Sequence, residues 1–253
     1  PFAALLIAYM MGSAMRLAEH PTAKLLPSLT AMGEAVRHYA LEPDARTGTY
    51  LMWNDTLSSL RLLLIAIAIS TLIALVFGIL IGLLPLMNAT FGPVVAVASM
   101  VPPLALLPIL FIVMGLGDAS KIALIVVGTS LKLIRDMALR VQDLPREQLI
   151  KAQTLGASTW QIGLRVVLPQ MLPRLIDSVR LELGPAWLFL IAAEAIASDS
   201  GLGYRIFLVR RYLAMDVIIP YVIWITLLAF LMDLALRLLQ SKAFPWFAGA
   251  RAA

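Results

Sequence analysis

The sequence predicts an all-α protein, a polytopic bundle of about six helices that cross a membrane. Of its 253 residues 61% are hydrophobic and only 14% are charged, and the mean hydropathy is +0.91. In soluble domains about a quarter of the residues are charged. The core formed by a chain of this length could not hide so much apolar surface from water. A lipid bilayer removes that conflict, and helices satisfy their own backbone hydrogen bonds within it.

The longest uncharged run, Leu62–Gly117, provides the middle of this prediction. One helix needs about 20 residues to cross the hydrocarbon core, so this run is long enough for two spans. We place them at about 57–84 and 93–116. The segment Pro85–Pro93 contains proline, asparagine and glycine, and it is predicted as the turn between them.

The other apolar segments complete the bundle. They are Phe2–Met15, Ile122–Leu139, Leu175–Ala197 and Val217–Leu239. The polar segment 17–55 follows the first span and contains a short amphipathic helix at Ser28–Tyr39. In the fifth span Gly184-Pro185 predicts a kink, because Pro185 lacks the N–H that would bond to Leu181.

Lysine and arginine placement predicts the orientation, since these residues are enriched in cytoplasmic loops. The loop between the fourth and fifth spans carries Arg140, Arg146, Lys151, Arg165 and Arg174. We therefore place 140–173 in the cytoplasm, and the segments 17–55 and 198–216 outside. Arg205, Arg210 and Arg211 in the last of these oppose the rule, and we interpret them as a surface patch.

The cytoplasmic loop contains the local signals of two short helices with a sharp break between them. Asp143 can cap the first helix, and Pro145 fits its first turn. Gly156 should end that helix, where a residue free to adopt a positive φ is useful. Such a loop is stiff, and it suits docking into a groove of a partner.

The second short helix follows directly. Ser158 and Gln161 have the spacing of a capping box, and Pro169 should close the helix. Along the first helix the apolar side chains of Leu149, Ala152 and Leu155 are expected to share one face.

This loop resembles the one that identifies permeases of ABC importers. In that family it has the form EAA, three residues, Gly, nine residues, Ile-x-Leu-Pro. We match Lys151-Ala152-Gln153 to the EAA triplet, Gly156 to the glycine, and Val166-Val167-Leu168-Pro169 to the closing motif. Lys151 then stands for the usual Glu, and Gln153 for the second Ala.

The resemblance extends over about 20–245 and is closest to permeases of the nitrate, sulfonate and taurine type. Val101–Pro108 resembles the signature of their third span. Ala192-Ala193-Glu194 and Ser200–Tyr204 resemble the end of their fifth span and the turn after it. Residues 1–253 are thus expected to form a single transmembrane domain, with the core of a type I importer permease at about 57–245.

The resemblance implies a place for this chain in a larger complex. It implies a homodimeric pore in the bacterial inner (plasma) membrane, two ATP-binding cassette subunits that hold ATP and Mg²⁺, and a periplasmic or lipid-anchored solute-binding protein. The solute would be a small anion such as nitrate, a sulfonate or taurine. The residues expected to couple the pore to the ATPase are Arg146, Glu147, Lys151, Ala152, Leu155, Gly156, Leu168 and Pro169.

Charged and kinked positions within the spans are candidates for the translocation path or gate. Glu194 could face the pore, or it could bond to the end of a neighbouring helix. Lys132 and Arg135 lie on one face and could favour an anion in transit, or they could extend to the cytoplasmic surface. Pro102 and Pro103 should loosen the third span. Nearer the inner end of the fifth span, Arg180 is expected to pair with Asp177 or Glu182.

Several other classes of site lack the residues they require. The absence of cysteine excludes disulfides, thiolate zinc sites and cysteine nucleophiles. His20 and His38 are predicted to be surface residues, and no metal site is expected. The net charge of +5 is attributed to cytoplasmic loops and not to nucleic-acid binding. No G-x-x-x-x-G-K-[ST] phosphate loop occurs, so an ATP-driven importer would carry its ATPase on another chain.

An ion-coupled secondary transporter is the alternative function. Such proteins usually show an internal repeat, with broken helices or mid-span acids in both halves. No repeat is evident here, and the charged residues cluster in the second half. A membrane-embedded enzyme would need a convergent catalytic set, but no predicted span contains histidine and no G-x-S-x-G motif occurs.

The orientation can be tested with single cysteines, because the chain has no native cysteine. An impermeant thiol reagent applied to right-side-out cells should label Ser200→Cys and leave Ser158→Cys unlabelled. Permeabilised cells serve as the control, since both variants should then react. Labelling of Ser158→Cys alone in intact cells would reverse the proposed orientation.

Overall fold

The computed structural model describes residues 2–19, 25–45 and 47–249, and the regular secondary structure in these ranges is helical. The all-α prediction is confirmed for this part of the chain. A 3-10 turn at Pro103–Leu106 precedes α5, and a π-helical turn at Gly163–Val167 precedes α9. The α-helices are α1 (Phe2–Glu19), α2 (Leu29–Leu41), α3 (Leu51–Leu83), α4 (Pro85–Ala98), α5 (Leu107–Met114), α6 (Asp118–Gln142), α7 (Arg146–Thr154), α8 (Thr159–Ile162), α9 (Leu168–Ile196), α10 (Leu202–Arg210), α11 (Met215–Ala243) and α12 (Pro245–Gly249).

The chain divides into two compact units. Unit 1 comprises Pro1–Arg61 and Ile191–Leu228, and unit 2 comprises Leu62–Leu190 and Ala229–Ala253. Three long helices, α3, α9 and α11, contribute residues to both.

The membrane-spanning helices are distinguished by length and composition. Leu51–Leu83 and Met215–Ala243 are each long and apolar enough to cross a bilayer, and so is the bent pair Pro85–Ala98 plus Pro103–Met114 if it counts as one span. The helices α6 and α9 are 25 and 29 residues long, sufficient to cross, but both carry ionised side chains within their length. The count of about six spans therefore stays a prediction.

The predicted turn at Pro85–Pro93 is wrong, because this segment is helical. The break after α3 is confined to Leu84, which has φ −99° and ψ 115°. Pro85 occupies the first turn of α4, where its missing N–H needs no partner within the helix. Proline and asparagine read as turn residues in the sequence, but here they start a helix instead of linking two spans.

The predicted third span is a bent element, as its prolines suggested. The helical segments Pro85–Ala98 and Pro103–Met114 are inclined by 83° to each other. Pro102 lies in extended backbone with φ −69° and ψ 114°, and Pro103 opens the 3-10 turn. Two adjacent residues without an N–H cannot continue the hydrogen-bond ladder of a helix, so the chain turns there.

The amphipathic helix predicted at Ser28–Tyr39 is confirmed as α2, and its ends are defined by side chains. Ser28 Oγ accepts a hydrogen bond from Ala31 N at 3.1 Å, which caps the first turn. At the other end His38 Nδ1 lies 2.9 Å from Glu42 Oε2, and this bond lowers the pKa of Glu42. His38 is exposed, as predicted, and His20 lies outside the described residues.

Unit 2 is built on a close contact between α3 and α6. Its buried core includes Ala74 and Ile81 of α3, Leu133 and Met137 of α6, and Met171 of α9. Two glycines of α3 allow the helices to approach. A Cβ atom added at Gly78 would lie 2.5 Å from Met137 Cβ, and one at Gly82 would lie 2.5 Å from Val141 Cβ.

Polar bonds tie α9 to α11 within unit 2. Arg180 makes the predicted pair with Asp177 at 3.4 Å, but its nearer partner is Asp233, at 2.7 Å from its Nε. Gln240 Nε2 donates to the carbonyl oxygen of Pro173 at 2.7 Å. Glu182 is not among the partners of Arg180 in the described part of the chain.

The prolines of α9 do not interrupt it, since the helix runs from Leu168 to Ile196 with Pro173 and Pro185 inside. The carbonyl freed by Pro185 belongs to Leu181, whose side chain is 74% exposed. A proline in such a helix is tolerated where other groups compensate for the lost bond.

The glycine contact between α3 and α6 predicts a stability difference. In Gly78→Ala the new methyl group would overlap Met137 Cβ, which cannot move without its backbone. We expect a loss of about 1–3 kcal/mol, typical of an overpacked core, measured as a lower melting temperature in nanodiscs. Gly184→Ala in α9 is the matched control. Apart from the chain neighbours of Gly184 and the nearby backbone of α9, no atom of residues 2–19, 25–45 and 47–249 lies within 4 Å of the position that its new methyl group would take. Equal melting temperatures for the two variants would contradict the close approach.

Candidate functional site

The predicted cytoplasmic loop ends its first helix with a left-handed glycine. α7 stops at Thr154, and Gly156 follows with φ +84°. Gly156 N donates to Gln153 O at 2.9 Å, and Ala157 N donates to Ala152 O at 3.0 Å. This pair of bonds is a Schellman motif, which satisfies two carbonyls at the helix end. The positive φ expected at Gly156 is confirmed.

The predicted capping box is also confirmed. Ser158 Oγ accepts from Gln161 N at 3.3 Å, and Gln161 Oε1 accepts from Ser158 N at 2.8 Å. Together with the Schellman motif it fixes both sides of the four-residue break between α7 and α8. The direction in which α7 leaves the bundle is thus determined by local hydrogen bonds.

Two details of the loop were predicted wrongly. Asp143 belongs to the end of α6, where its N–H bonds to Leu139 O, and α7 has no side-chain cap; Pro145 precedes the first helical residue. Pro169 does not close α8, because helical backbone continues through the π-helical turn into α9. Proline is tolerated there because it lies in the first turn of α9, and the wider turn before it rearranges the hydrogen bonds.

The exposed face of α7 differs from the face that periodicity suggested. Leu149 and Ala152 are partly buried against the core of unit 2, whereas Leu155 is 81% exposed. Two apolar side chains that sequence reasoning missed, Ile150 and Trp160, are 57% and 69% exposed. The remaining coupling candidates are exposed at Arg146, Glu147, Lys151, Gly156 and Pro169, and half-buried at Leu168. The loop therefore presents three exposed apolar side chains as well as exposed charged ones.

The register of the motif needs one correction. In the family, three residues separate the EAA triplet from the glycine. Counting back from Gly156 therefore places the triplet on Ile150-Lys151-Ala152, one position before the match made above. Ile150 then occupies the position of the family's Glu, and Ala152 fits its alanine. This chain therefore has an exposed apolar residue, Ile150, at the position where the family has a glutamate.

A charged cavity lies elsewhere in unit 2. Its volume is about 410 Å³, and its polar lining includes Lys132, Arg135, Asp136, Ser178 and Glu182 of α6 and α9. The structure thus brings the two predicted cationic path residues to one cavity. The same cavity is lined by Asp136 and Glu182, two acids that the sequence analysis did not assign to the translocation path.

A smaller cavity adjoins it and shares Ser99 and Lys132 with it. This second space has a volume of about 270 Å³, and it is lined by Pro103 and Gly128 as well as by Lys132. Pro102 is exposed and lines neither cavity.

Glu194 lies in unit 1, fully buried, and both of its oxygens are bonded. Oε1 accepts from Ser59 Oγ at 2.7 Å, and Oε2 accepts from Gly203 N at 2.8 Å. Gly203 belongs to the first turn of α10, so the carboxylate caps that helix. This geometry supports the second of the two readings of Glu194, a bond to the end of a neighbouring helix.

A second buried carboxylate, which sequence reasoning missed, supports the same turn. Asp55 of α3 accepts from Gly201 N at 3.1 Å and from Arg205 Nε at 2.7 Å. Burial alone would lower the pKa of Arg205, but the hydrogen bond and charge of Asp55 outweigh it and raise the pKa. Arg205 is therefore a buried, ionised partner and not part of a surface patch, whereas Arg210 and Arg211 are exposed.

Gly201 fits between the two carboxylates because it has no side chain. Its φ is +120°, and an added Cβ would lie 2.5 Å from the carboxyl carbon of Glu194. The signal in the sequence was the pair of glycines in Gly201-Leu202-Gly203 close to an intramembrane acid. Asp55 and Arg205 are separated by 150 residues, so no local pattern joins them.

Comparison with known proteins identifies relatives of similar sequence. Residues 74–244 match the family model described as binding-protein-dependent transport system inner membrane component. The taurine transport system permease TauC of Escherichia coli K12 is 34% identical over 195 residues, which are 77% of this chain and 71% of the relative. The putative aliphatic sulfonates transport permease SsuC of the same strain is 33% identical over 146 residues, 58% of this chain and 56% of the relative.

A solved structure is similar in fold. A chain of the methionine ABC transporter MetNI in an inward-facing conformation aligns with a TM-score of 0.68 and 19% identity. The alignment covers 79% of this chain and 99% of that chain.

The buried carboxylate of Glu194 predicts different effects for two substitutions. Glu194→Ala leaves Gly203 N–H and Ser59 O–H without a partner, and we expect a loss of about 1–3 kcal/mol for such a group. In Glu194→Gln the side-chain oxygen can still accept from Gly203, and its amide can donate to Ser59. The melting temperature in nanodiscs should therefore fall much more for Ala than for Gln. Equal, small changes for both variants would contradict the structural role.

Proposed function

Since this chain belongs to the family of binding-protein-dependent transport system inner membrane components, we propose that its transported solute is a small anion such as nitrate, a sulfonate or taurine. Membership makes the chain the pore subunit of an ATP-driven importer and a multi-pass protein of the inner membrane. The solute class is supported by the taurine and sulfonate permeases among its relatives.

The complex that we propose contains two copies of this chain, two ATP-binding cassette subunits that hold ATP and Mg²⁺, and an external solute-binding protein. The ATPase would dock on the loop 140–173. The observation that carries this assignment is the set of exposed side chains on the loop. They are apolar at Ile150, Leu155 and Trp160 and basic at Arg146 and Lys151, and a hydrogen-bonded break separates the two helices that carry them. Apolar anchors surrounded by charges are typical of protein interfaces.

Force can pass from these loop residues to α9 through short, hydrogen-bonded and packed connections. Gln170 Nε2 of α9 donates to Gln148 Oε1 of α7 at 3.1 Å. Leu149 and Ala152 contact the same core as Met171. A movement of α7 would therefore be transmitted directly to α9.

The path residues have distinct proposed roles. Lys132 and Arg135 would attract an anion into the cavity between α6 and α9. The bend at Pro102 and Pro103 would allow the segment lining the second cavity to move. Glu194 would act on the gate indirectly, by holding the turn that precedes α10.

Reconstitution tests the function as a whole. The permease, the ATPase and the binding protein encoded beside it should together give ATP-dependent uptake of nitrate, taurine or an alkylsulfonate into proteoliposomes. Omission of any component should abolish uptake. Uptake that needs no ATP but follows an imposed proton or sodium gradient would favour the secondary-transporter alternative.

The coupling role of the loop is tested by Gly156→Val. A β-branched residue resists positive φ, and the strain should be about 1–3 kcal/mol. Apart from the two neighbouring residues, no atom of the described part of the chain lies within 4 Å of the added Cβ, so packing inside the permease should be unaffected. We expect normal insertion, less ATPase subunit in pull-downs and a loss of uptake.

Two variants control for strain alone. Gly115→Val places valine at φ +79°, also with no atom within 4 Å of the Cβ, but after α5 and away from the loop. Gly156→Asn keeps a residue that tolerates positive φ. ATPase binding should survive both changes. If Gly156→Val kept full ATPase binding and uptake, the loop would not be the coupling element.

A further inference from the structure

The charged cavity between α6 and α9 has the size of a small-molecule site. Its volume of about 410 Å³ falls within the range of ligand pockets, about 300–1,000 Å³. Its lining combines Lys132, Arg135, Asp136 and Glu182 with the apolar side chains of Leu133 and Leu181. Ionisable groups in membrane-spanning helices are rare and usually functional.

One of the two acids is already neutralised by this chain. Asp136 accepts from Arg140 Nε at 2.7 Å, one turn along α6. It also accepts a hydrogen bond from Ser178 Oγ of α9. Asp136 therefore connects the two helices, and its charge is balanced by Arg140.

The other three charges are not balanced in this way. Among the described residues, Lys132 and Arg135 make no ion pair or hydrogen bond through their side chains. Oε2 of Glu182 is buried without a hydrogen-bond partner. Lys132 and Glu182 line the same cavity, but their side chains form no ion pair within the described residues. Lys132 and Glu182 are half-buried and Arg135 is exposed, so the buried Oε2 of Glu182 is the group that most lacks a partner, and a ligand seated in the cavity would supply it.

The arrangement of these charges selects among ligand classes. A simple anion would satisfy Lys132 and leave Glu182 as a repulsive neighbour. A simple cation would satisfy Glu182 and be repelled by Lys132 and Arg135. A molecule with an oxyanion at one end and an ammonium group at the other would satisfy both sides. The walls formed by Leu133 and Leu181 suit a short hydrocarbon linker between them.

We propose that this cavity binds a small zwitterion, with its ammonium group on Glu182 and its oxyanion on Lys132 and Arg135. The inference rests on the proposed function as an importer, and it narrows the solute from small anions in general to those that also carry an amine. It also makes Glu182 a specificity-determining residue of the transmembrane path.

Two probes of nearly equal shape test the proposal. Taurine has a sulfonate and an ammonium group on a two-carbon chain, and isethionate has a hydroxyl group in place of the ammonium. Equilibrium binding of radiolabelled taurine is measured on the permease–ATPase complex in nanodiscs, without the binding protein, and isethionate is added as competitor. Loss of one charge-assisted hydrogen bond should weaken isethionate by about tenfold or more relative to taurine.

Substitutions assign this preference to the cavity. In Glu182→Gln the ratio of the two affinities should fall to about one, because the amide no longer attracts the ammonium group. Lys132→Gln should weaken both probes together. Glu34→Gln, which removes an exposed acid of α2 in unit 1, should leave both affinities unchanged. Gel filtration and melting temperature confirm that each variant is folded.

The outcomes separate this inference from the proposed function. If wild-type complex bound no taurine, or if Glu182→Gln kept the full preference for taurine, the zwitterion site would be wrong even if ATP-driven uptake of an anion were observed. If the complete system transported no solute in an ATP-dependent manner, the proposed function would be wrong whatever the binding experiment gave.

Discussion

Hydrocarbon offers no partner for a hydrogen bond, and the buried polar contacts between the long helices meet this constraint. The carboxylates of Asp55 and Glu194 are fully buried, and each is surrounded by donors from another part of the chain. Arg180 lies between Asp177 and Asp233, and Gln240 bonds to a carbonyl oxygen beside proline. In each case one helix is fixed against another because a polar group could not be left alone.

The cavity between α6 and α9 is one place in the described chain where this rule is not met. Asp136 is balanced by Arg140, whereas Lys132 and Glu182 face a common space without pairing. The polar groups that join two helices and the polar groups of the proposed ligand site are thus chemically alike. They differ only in whether the chain supplies the partner.

Local signals predicted the break between α7 and α8, whereas long-range contacts escaped prediction. Gly156 and the Ser158–Gln161 capping box depend on neighbours within a few residues, so their spacing was sufficient. Asp55 pairs with Arg205 at a separation of 150 residues, and Arg180 pairs with Asp233 at a separation of 53. The prediction that these prolines interrupt or end helices was too simple. Pro85 starts α4, and helical backbone continues through Pro169, because the effect of proline depends on its position within a helix.

The direction in which α7 points depends on the number of residues in the π-helical turn at Gly163–Val167. The buried side chains follow a spacing of four along α9, at Val167, Met171, Leu175 and Val179, but Ile162 precedes the first of them by five. The turn therefore contains one residue more than an α-helix would use. Loss of a single residue from it would preserve the helix and rotate everything on its N-terminal side by about 100°. Insertions and deletions in this short stretch are thus far more consequential than substitutions, because they alter where α7 points and leave its surface chemistry intact.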